Sequence, residues 1–264
     1  MAEYLIFFND EWVTETTDEG WRQRSRAVRA AVEEMKAAGV FLFTGGLDNE
    51  DGPVFHAVPG PDGPLVVDGP YAETKETFGG FAAVDVPDEA AARHWAGRIA
   101  TACDWPQEVR ICQSTPDQRW PDVAAHTTAP RIEGDEYLIF FYDQWVTETD
   151  PDGWTRRGHA AWDAVGRTRA AGAYIFAAGL DNEAPVFHVE PGPDGPVFSD
   201  GPYAETKELF GGFTAVVARS QEEARQWAGL MATACEWPQE VRVFRKPAQL
   251  PTPEADAAAA VREA

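Results

Sequence analysis

The chain has 264 residues, and its 44 acidic side chains against 22 basic ones give a formal net charge of −22 at pH 7. Nucleic acids and anionic membrane surfaces attract clusters of Lys and Arg, so this balance argues against either as a partner. There is no run of membrane-span length, no signal-peptide pattern and no Cys-x-x-Cys spacing among the three cysteines, which together predict a cytoplasmic protein with reduced, buried thiols.

The predicted elements of the first half alternate between short strands and helices. Apolar residues at helical spacing from Trp21 to Met35 predict a helix that ends at Gly39, and Asp88 is typical of the N-cap of a second helix. A Pro-Gly-Pro-Asp-Gly-Pro segment between two apolar runs predicts a hairpin. The predicted strands are residues 4–8, 40–44, 54–58, 65–67, 80–86 and 108–112.

The second half repeats the first almost in register. The nonamer Asp-Gly-Pro-Tyr-Ala-Glu-Thr-Lys-Glu stands at residues 68–76 and again, letter for letter, at 200–208. A repeat of this length is a whole domain rather than one unit of a solenoid. We therefore predict a first domain at 1–113, a linker at 114–134, a second domain at 135–246 and a disordered tail at 247–264.

Without its hairpin, each half has the order β-α-β-β-α-β, which is the ferredoxin-like arrangement of the α+β class. Two helices cover only one face of such a sheet, yet the strands at 5–8, 41–43 and 81–84 are apolar on both faces. The uncovered faces need a partner, and the second half is already tethered. We predict that the two sheets pack face to face into an intramolecular pseudo-dimeric α/β barrel, each half with an inserted β-hairpin. Further association of the fused pair stays open.

The nonamer, the following Gly-Gly-Phe and the later Glu-Val-Arg resemble the YCII-related, or DGPF-domain, family, with Tyr where the family usually has Phe. The resemblance implies a dimeric α/β barrel that most members form from two chains. Relatives in the broader group resemble cofactor-free lyases, including a dehydrochlorinase, that use a His–Asp pair. His159 and Asp181 match that pair, whereas the first half has Asp48 but Arg26 in place of the histidine. The resemblance thus implies a catalytic pair in the second half and no cofactor.

The repeated nonamer is the first candidate for a ligand-binding element. Its tyrosines could form the wall of a pocket and its Glu and Lys side chains could bind polar groups of a ligand. The alternative is a structural loop that is identical in both halves because of a recent duplication. The candidates are Tyr71, Glu73, Lys75, Tyr203, Glu205 and Lys207.

His56 and His188 are the pair of histidines that the repeat makes equivalent. On a strand each points away from the preceding Phe, so it could face the barrel interior. With Asp68 or Asp200 nearby, it would be a usable acid or base near neutral pH. The alternative is a hairpin histidine on the solvent face.

Two acidic clusters raise the question of a metal site, but their spacing matches no established set of ligands and we predict none. The first functional hypothesis is a cofactor-free lyase or isomerase that acts on a small apolar or aromatic molecule, with His159 as base and Asp181 as its partner. The second is a non-catalytic ligand-binding or regulatory protein. An enzyme needs a cavity lined by His159 or His188, whereas an interaction protein would fill the barrel with aromatic side chains. The acidic clusters are Asp48, Glu50 and His56, and Asp181, Glu183 and His188.

Overall fold

The computed structural model describes residues 2–13, 17–113, 131–146, 150–204 and 206–246. Most of the predicted linker and the whole predicted tail lie outside these residues, and the domain boundaries stay predictions. The first copy contains β1 (Ala2–Asn9), α1 (Asp18–Ala37), β2 (Phe41–Gly46), β3 (Val54–Val58), β4 (Leu65–Asp68), β5 (Phe78–Val86), α2 (Glu89–Cys103) and β6 (Gln107–Ile111). The second copy contains β7 (Asp135–Tyr142), α3 (Pro151–Ala170), β8 (Tyr174–Gly179), β9 (Phe187–Glu190), β10 (Val197–Asp200), β11 (Phe210–Ala218), α4 (Gln221–Cys235) and β12 (Gln239–Val243).

The helix boundaries follow the local signals in the sequence. The side chain of Asp88 accepts a hydrogen bond from the backbone N–H of Ala91, which confirms it as the N-cap of α2. After α1 the chain passes through Gly39 at φ +72°, a conformation that glycine adopts without steric cost. The local chemistry of these residues therefore fixes where the helices begin and end.

The hairpins are exchanged between the two copies. The strand orders are β10-β9-β6-β1-β5-β2 in one sheet and β4-β3-β12-β7-β11-β8 in the other. Each hairpin thus pairs with the last strand of the opposite copy, and His56 lies opposite Glu240 in the register of β3 and β12. An isolated hairpin is marginally stable, so pairing with β6 or β12 supports it and covers the edge of that last strand, while β4 and β10 become edge strands of the two sheets. The sequence predicted each hairpin as an insertion but not this exchange.

The strands alternate between a helix-facing side and a side that faces the other sheet. In β1, Tyr4 and Ile6 belong to a buried cluster with residues of α2. Leu5 and Phe7 belong to a second cluster that contains residues from both copies. The two sheets therefore pack face to face, which confirms the predicted intramolecular pseudo-dimeric α/β barrel. We call the contact between the two sheets the seam.

Aromatic rings fill the centre of the seam. Phe78 and Phe210, which are equivalent residues, stack with ring centroids 4.3 Å apart and planes 10° apart. Phe81 and Phe213 meet beside them at 4.9 Å. The pseudo-two-fold axis of the molecule thus passes through a contact between equivalent rings.

The cysteines and the helices were the subject of two further predictions from the sequence. The three cysteines form no disulfide and are buried, and burial raises the pKa of the Cys103 and Cys235 thiols to about 12. They occupy core positions as small apolar residues. Among the described residues, no helix combines the length and apolarity that crossing a bilayer requires.

Candidate functional site

Each nonamer loop is bonded to a buried glutamate of the opposite copy. The backbone N–H of Tyr71 and the hydroxyl of Thr74 donate to one carboxylate oxygen of Glu240, at 3.0 and 2.6 Å. Gly69, at φ +94°, makes the turn that brings them there. The repetition of these residues thus has a structural explanation. The equivalent bonds join Tyr203 and Thr206 to Glu108 at 2.9 and 2.7 Å.

The Glu-Val-Arg segment forms an ion pair inside the seam. The other carboxylate oxygen of Glu240 accepts from Nε of Arg242 at 2.8 Å, and Glu240 is 0% exposed. Nη1 of Arg242 donates to Asn49, whose amide donates to Asp10. Burial is the main cause that raises the pKa of the Asp10 carboxyl. The second network consists of Glu108, Arg110, Asn182 and Asp143.

Sequence reasoning did not single out these networks as part of the site. Glu-Val-Arg was used for the family resemblance, and only the acidic residues of the two Leu-Asp-Asn-Glu segments were considered as site residues. The available signal was the repeated Glu and Arg of β6 and β12, which stand in strands with an apolar residue between them, because buried charges are rare unless they are paired.

Two further glutamates each accept hydrogen bonds from backbone groups of the opposite copy. One oxygen of Glu208 accepts from the backbone N–H groups of Lys75 and Glu76, both at 2.8 Å. Glu76 in turn accepts from the N–H of Glu208 at 2.8 Å. Burial raises the pKa of Glu76, and the nearby charge of Glu208 adds to the shift while the N–H groups oppose it. The site therefore contains two neighbouring carboxylates with little contact with water.

This arrangement predicts how the Glu76→Gln variant responds to pH. The pKa of Glu76 is raised in the folded protein above its ordinary value of 4.5. The stabilising contribution of its protonated form is therefore complete below pH 4.5 and is lost as the pH rises through the raised pKa. Gln cannot ionise and keeps one acceptor oxygen. We expect the free energy of unfolding of the Glu76→Gln variant, measured with urea, to exceed that of the wild type by an amount that grows from pH 4.5 to 7.

Glu73→Gln is the matched control for that experiment. Glu73 lies in the same loop and is exposed, so its substitution should leave the pH dependence of unfolding close to that of wild type. A Glu76→Gln variant whose stability tracked wild type at every pH would contradict the assignment of a raised pKa.

His56 has a defined tautomer and lies against a tyrosine ring. Its Nδ1 lies 3.0 Å from the carbonyl oxygen of Gly69. A carbonyl oxygen only accepts, so Nδ1 carries the hydrogen and, in the neutral ring, Nε2 carries the lone pair. The ring meets Tyr71 edge-on at 5.6 Å, and Tyr71 meets Trp145 of the other copy at 4.8 Å. A half-buried base thus lies beside a wall built from both copies.

His188 has the same surroundings with one difference. Its Nδ1 lies 3.3 Å from the carbonyl of Gly201, and its ring meets Tyr203 at 5.5 Å. Its Nε2 also lies 3.5 Å from a carboxylate oxygen of Glu190, a contact that is an ion pair when the ring is protonated. Val58 occupies the position of Glu190 in the first copy. The two histidine sites are therefore similar but unequal.

The structure does not place Asp68 or Asp200 beside these histidines. In the hairpin register Asp68 lies opposite Phe55, whereas His56 lies opposite Val67. Neighbouring residues of a strand point to opposite faces, so the aspartate and the histidine are on different sides of the sheet. Asp68 instead pairs with Arg225, and its side chain is 83% exposed. Asp200 pairs with Arg93 in the same way.

The other polar candidates of the nonamer point outward. Glu73, Lys75 and Lys207 are exposed, and Glu205 lies outside the described residues. Tyr71 and Tyr203 are half-buried and form part of the aromatic walls. A role of the Glu and Lys side chains in ligand binding stays a prediction.

His159 and Asp181 are not joined. His159 is exposed on α3, and the carboxylate of Asp181 accepts from the backbone N–H groups of Glu183 and Ala184, both at 3.1 Å. No hydrogen bond or ion pair connects the two side chains within the described part of the chain. The aspartate closes the turn after β8 instead of orienting the histidine. The catalytic role of the pair stays a prediction.

Within the described ranges, no three His, Cys, Asp or Glu side chains are grouped so that they could hold a metal ion. The carboxylates of Glu108 and Glu240 are each bonded to an arginine and a nonamer loop.

The fold and its exchanged hairpins define a tandem α/β-barrel protein in which both halves build each site. The chain belongs to the YCII-related domain family, whose model matches residues 3–111 and 136–233. A solved structure titled as a candidate chlorite dismutase is similar to it at 8% identity, over 93% of this chain and 96% of that chain, with a TM-score of 0.40. That likeness is too low to support a functional argument. The search of curated proteins returned no match.

Proposed function

We propose that the protein binds a small apolar or aromatic molecule beside the seam and transfers a proton on it without a cofactor, with His56 or His188 as the base. The observation that supports this most is the bond from each Nδ1 to a backbone carbonyl, which leaves Nε2 as the basic atom of the neutral ring. Elimination and isomerisation are the reaction types that need one positioned base and no redox group.

The surroundings of these histidines suit a flat ligand. In each copy a histidine, a tyrosine and a tryptophan from the opposite copy form consecutive ring contacts, and such faces bind planar apolar molecules well. His159 is exposed on α3, and among the described residues no aromatic ring contacts it. We therefore prefer His56 and His188 to His159 as the base.

One observation favours the second candidate function, a non-catalytic ligand-binding or regulatory protein. The middle of the seam is filled by Phe78, Phe210 and their neighbours, as expected for a barrel that holds no substrate at its centre. A ligand would then bind only at the margins of the seam. Both candidates share the binding step, so turnover is the property that separates them.

The experiment is a thermal-shift screen of small aromatic and apolar compounds, followed by product analysis for each compound that binds. For a compound that is turned over, we expect His56→Ala or His188→Ala to lower kcat about 10²–10⁴-fold, the usual contribution of a general base. His159→Ala, the matched control on the surface of α3, should keep wild-type turnover.

Each remaining outcome has a definite meaning. Binding without product for every compound would support the regulatory protein. If only His159→Ala lost turnover, the result would support His159 and Asp181 as the catalytic pair. Unchanged turnover in the double variant of His56 and His188 would refute our assignment of the base.

A further inference from the structure

The two hairpins present equivalent patches of four residues around their histidines. Residues that lie opposite each other, or two apart in one strand, share a face of the sheet. The other face of each hairpin is buried against a helix of the opposite copy. The patches consist of His56, Val58, Leu65 and Val67 in the first hairpin, and of His188, Glu190, Val197 and Ser199 in the second.

The first patch is apolar around its histidine, whereas the second is not. Glu190 stands at the position of Val58, and Ser199 stands at the position of Val67. A carboxylate oxygen of Glu190 lies 3.5 Å from Nε2 of His188. In the described part of the chain, no carboxylate is paired with Nε2 of His56. The two basic nitrogen atoms therefore have different neighbours.

The other surroundings of the two rings match. Each Nδ1 is bonded to a glycine carbonyl, and the tyrosine beside each ring meets a tryptophan of the opposite copy at 4.8 Å. The facing strands place Glu240 opposite His56 and Glu108 opposite His188. Both of these carboxylates are bonded to an arginine and to a nonamer loop. Among the described contacts of the two rings, Glu190 is thus the charged group that distinguishes them.

Glu190 competes for the nitrogen that a base would use. A carboxylate only accepts hydrogen bonds, so its contact with Nε2 is favourable when that nitrogen carries hydrogen. A nitrogen that carries hydrogen has no lone pair with which to take a proton from a ligand. At His56 the corresponding neighbour is the aliphatic side chain of Val58, which leaves the lone pair of Nε2 available.

We infer that His56 is the base of the proposed function and that Glu190 excludes His188 from that role. The inference rests on the proposed function for the proton transfer itself. In an isomerisation, Nε2 of His56 takes a proton from one carbon of the ligand, and the C–H electron pair forms the new double bond. The displaced π pair then takes the proton back at another carbon. The apolar patch around His56 suits a ligand without charge.

The test compares the two histidines of the full chain in their reaction with diethyl pyrocarbonate. The Nε2 lone pair attacks a carbonyl carbon of the reagent, ethyl carbonate leaves with the electron pair of the broken C–O bond, and the Nδ1 proton passes to solvent. Mass spectrometry of peptides follows both sites in one sample. We expect His56 to react at least about threefold faster than His188, as a half-exposed ion pair would produce.

Exchanged substitutions separate the effect of charge from that of burial, since His188 is only 9% exposed. Val58→Glu should slow the reaction of His56 about three- to fivefold, and Glu190→Val should accelerate that of His188 by a similar factor. Val58→Leu, which adds bulk without charge, should leave the reaction rate of His56 close to that of the wild type. The Tm should change little, because the side chain of Glu190 is 49% exposed.

A second-site substitution tests the role of Glu190 in turnover. For a compound that the protein converts, His56→Ala should account for the loss of turnover. Adding Glu190→Val to His56→Ala should restore part of it, because Nε2 of His188 then has the same neighbours as Nε2 of His56. A purely structural role of Glu190 would give no such recovery.

Equal reaction rates of His56 and His188, or an unchanged rate for His56 in Val58→Glu, would overturn the inference. A loss of turnover confined to His188→Ala would do the same. The reaction with diethyl pyrocarbonate requires no substrate, so its result is separate from that of the compound screen. If the histidines react unequally but no compound is converted, the proposed catalysis fails while the difference between the two nitrogen atoms stands.

Discussion

Replacing Glu240 with Ala should lower the free energy of unfolding by about 3–5 kcal/mol, the cost of breaking a buried ion pair from one side. The substitution leaves the guanidinium of Arg242 buried without its carboxylate partner. It also removes the acceptor for the N–H of Tyr71 and the hydroxyl of Thr74, so the first nonamer loop loses its bond to the second copy. Urea unfolding of the purified variant measures the change.

Glu34→Ala is the control for this experiment. Glu34 pairs with Arg98 between the helices of the first copy, but both side chains are about half exposed. An exposed ion pair contributes roughly 0–1 kcal/mol, so the control should remain close to wild type. If both variants lost the same small amount, the buried network would not be a determinant of stability.

Replacing Phe78 with Ala should lower the free energy of unfolding by about 3–5 kcal/mol, as is usual for a buried Phe. Its ring is fully buried and contacts Phe210 and Phe140 across the seam and Phe7 within its own sheet. The cavity would lie between the two copies, so the loss should appear as one transition in calorimetry rather than as unfolding of the first copy alone.

A double-mutant cycle with Phe210→Ala tests whether the two rings act as a pair. Residues in direct contact show coupling energies of about 0.5–3 kcal/mol, so the double variant should lose less than the two single variants together. Leu65→Ala, at a position that is 64% exposed in the hairpin, should change stability very little. Strict additivity of the two Phe substitutions would show that the copies are not held together by this contact.

Much of the architecture could be predicted from local patterns. Runs such as Leu5–Phe8 in β1 are apolar on both faces, and a sheet with two apolar faces needs a second layer. Because the sequence repeats, the layer had to be the other copy, and the seam centred on Phe78 and Phe210 confirms it. Cap residues such as Asp88 were predictable because they act on backbone groups within one turn.

The candidate site was predictable in part. Tyr71, Tyr203, His56 and His188 were selected because they repeat, and the structure brings each tyrosine against its histidine. The pairing of His56 with Asp68 could not hold, because Asp68 is one position from Val67, which lies opposite His56, and neighbouring residues of a strand point to opposite faces. That register depends on the turn and on the partner strand.

The amino-acid order thus determines the duplication, the strand and helix positions and the need for the two sheets to cover each other, since each depends on local periodicity. Only the tertiary structure decides that the hairpins are exchanged and that Glu108 and Glu240 bind the opposite loops. Such contacts join residues far apart in the chain, 169 positions for Tyr71 and Glu240 and 95 for Tyr203 and Glu108, and they depend on which edges and side chains meet once both copies have folded.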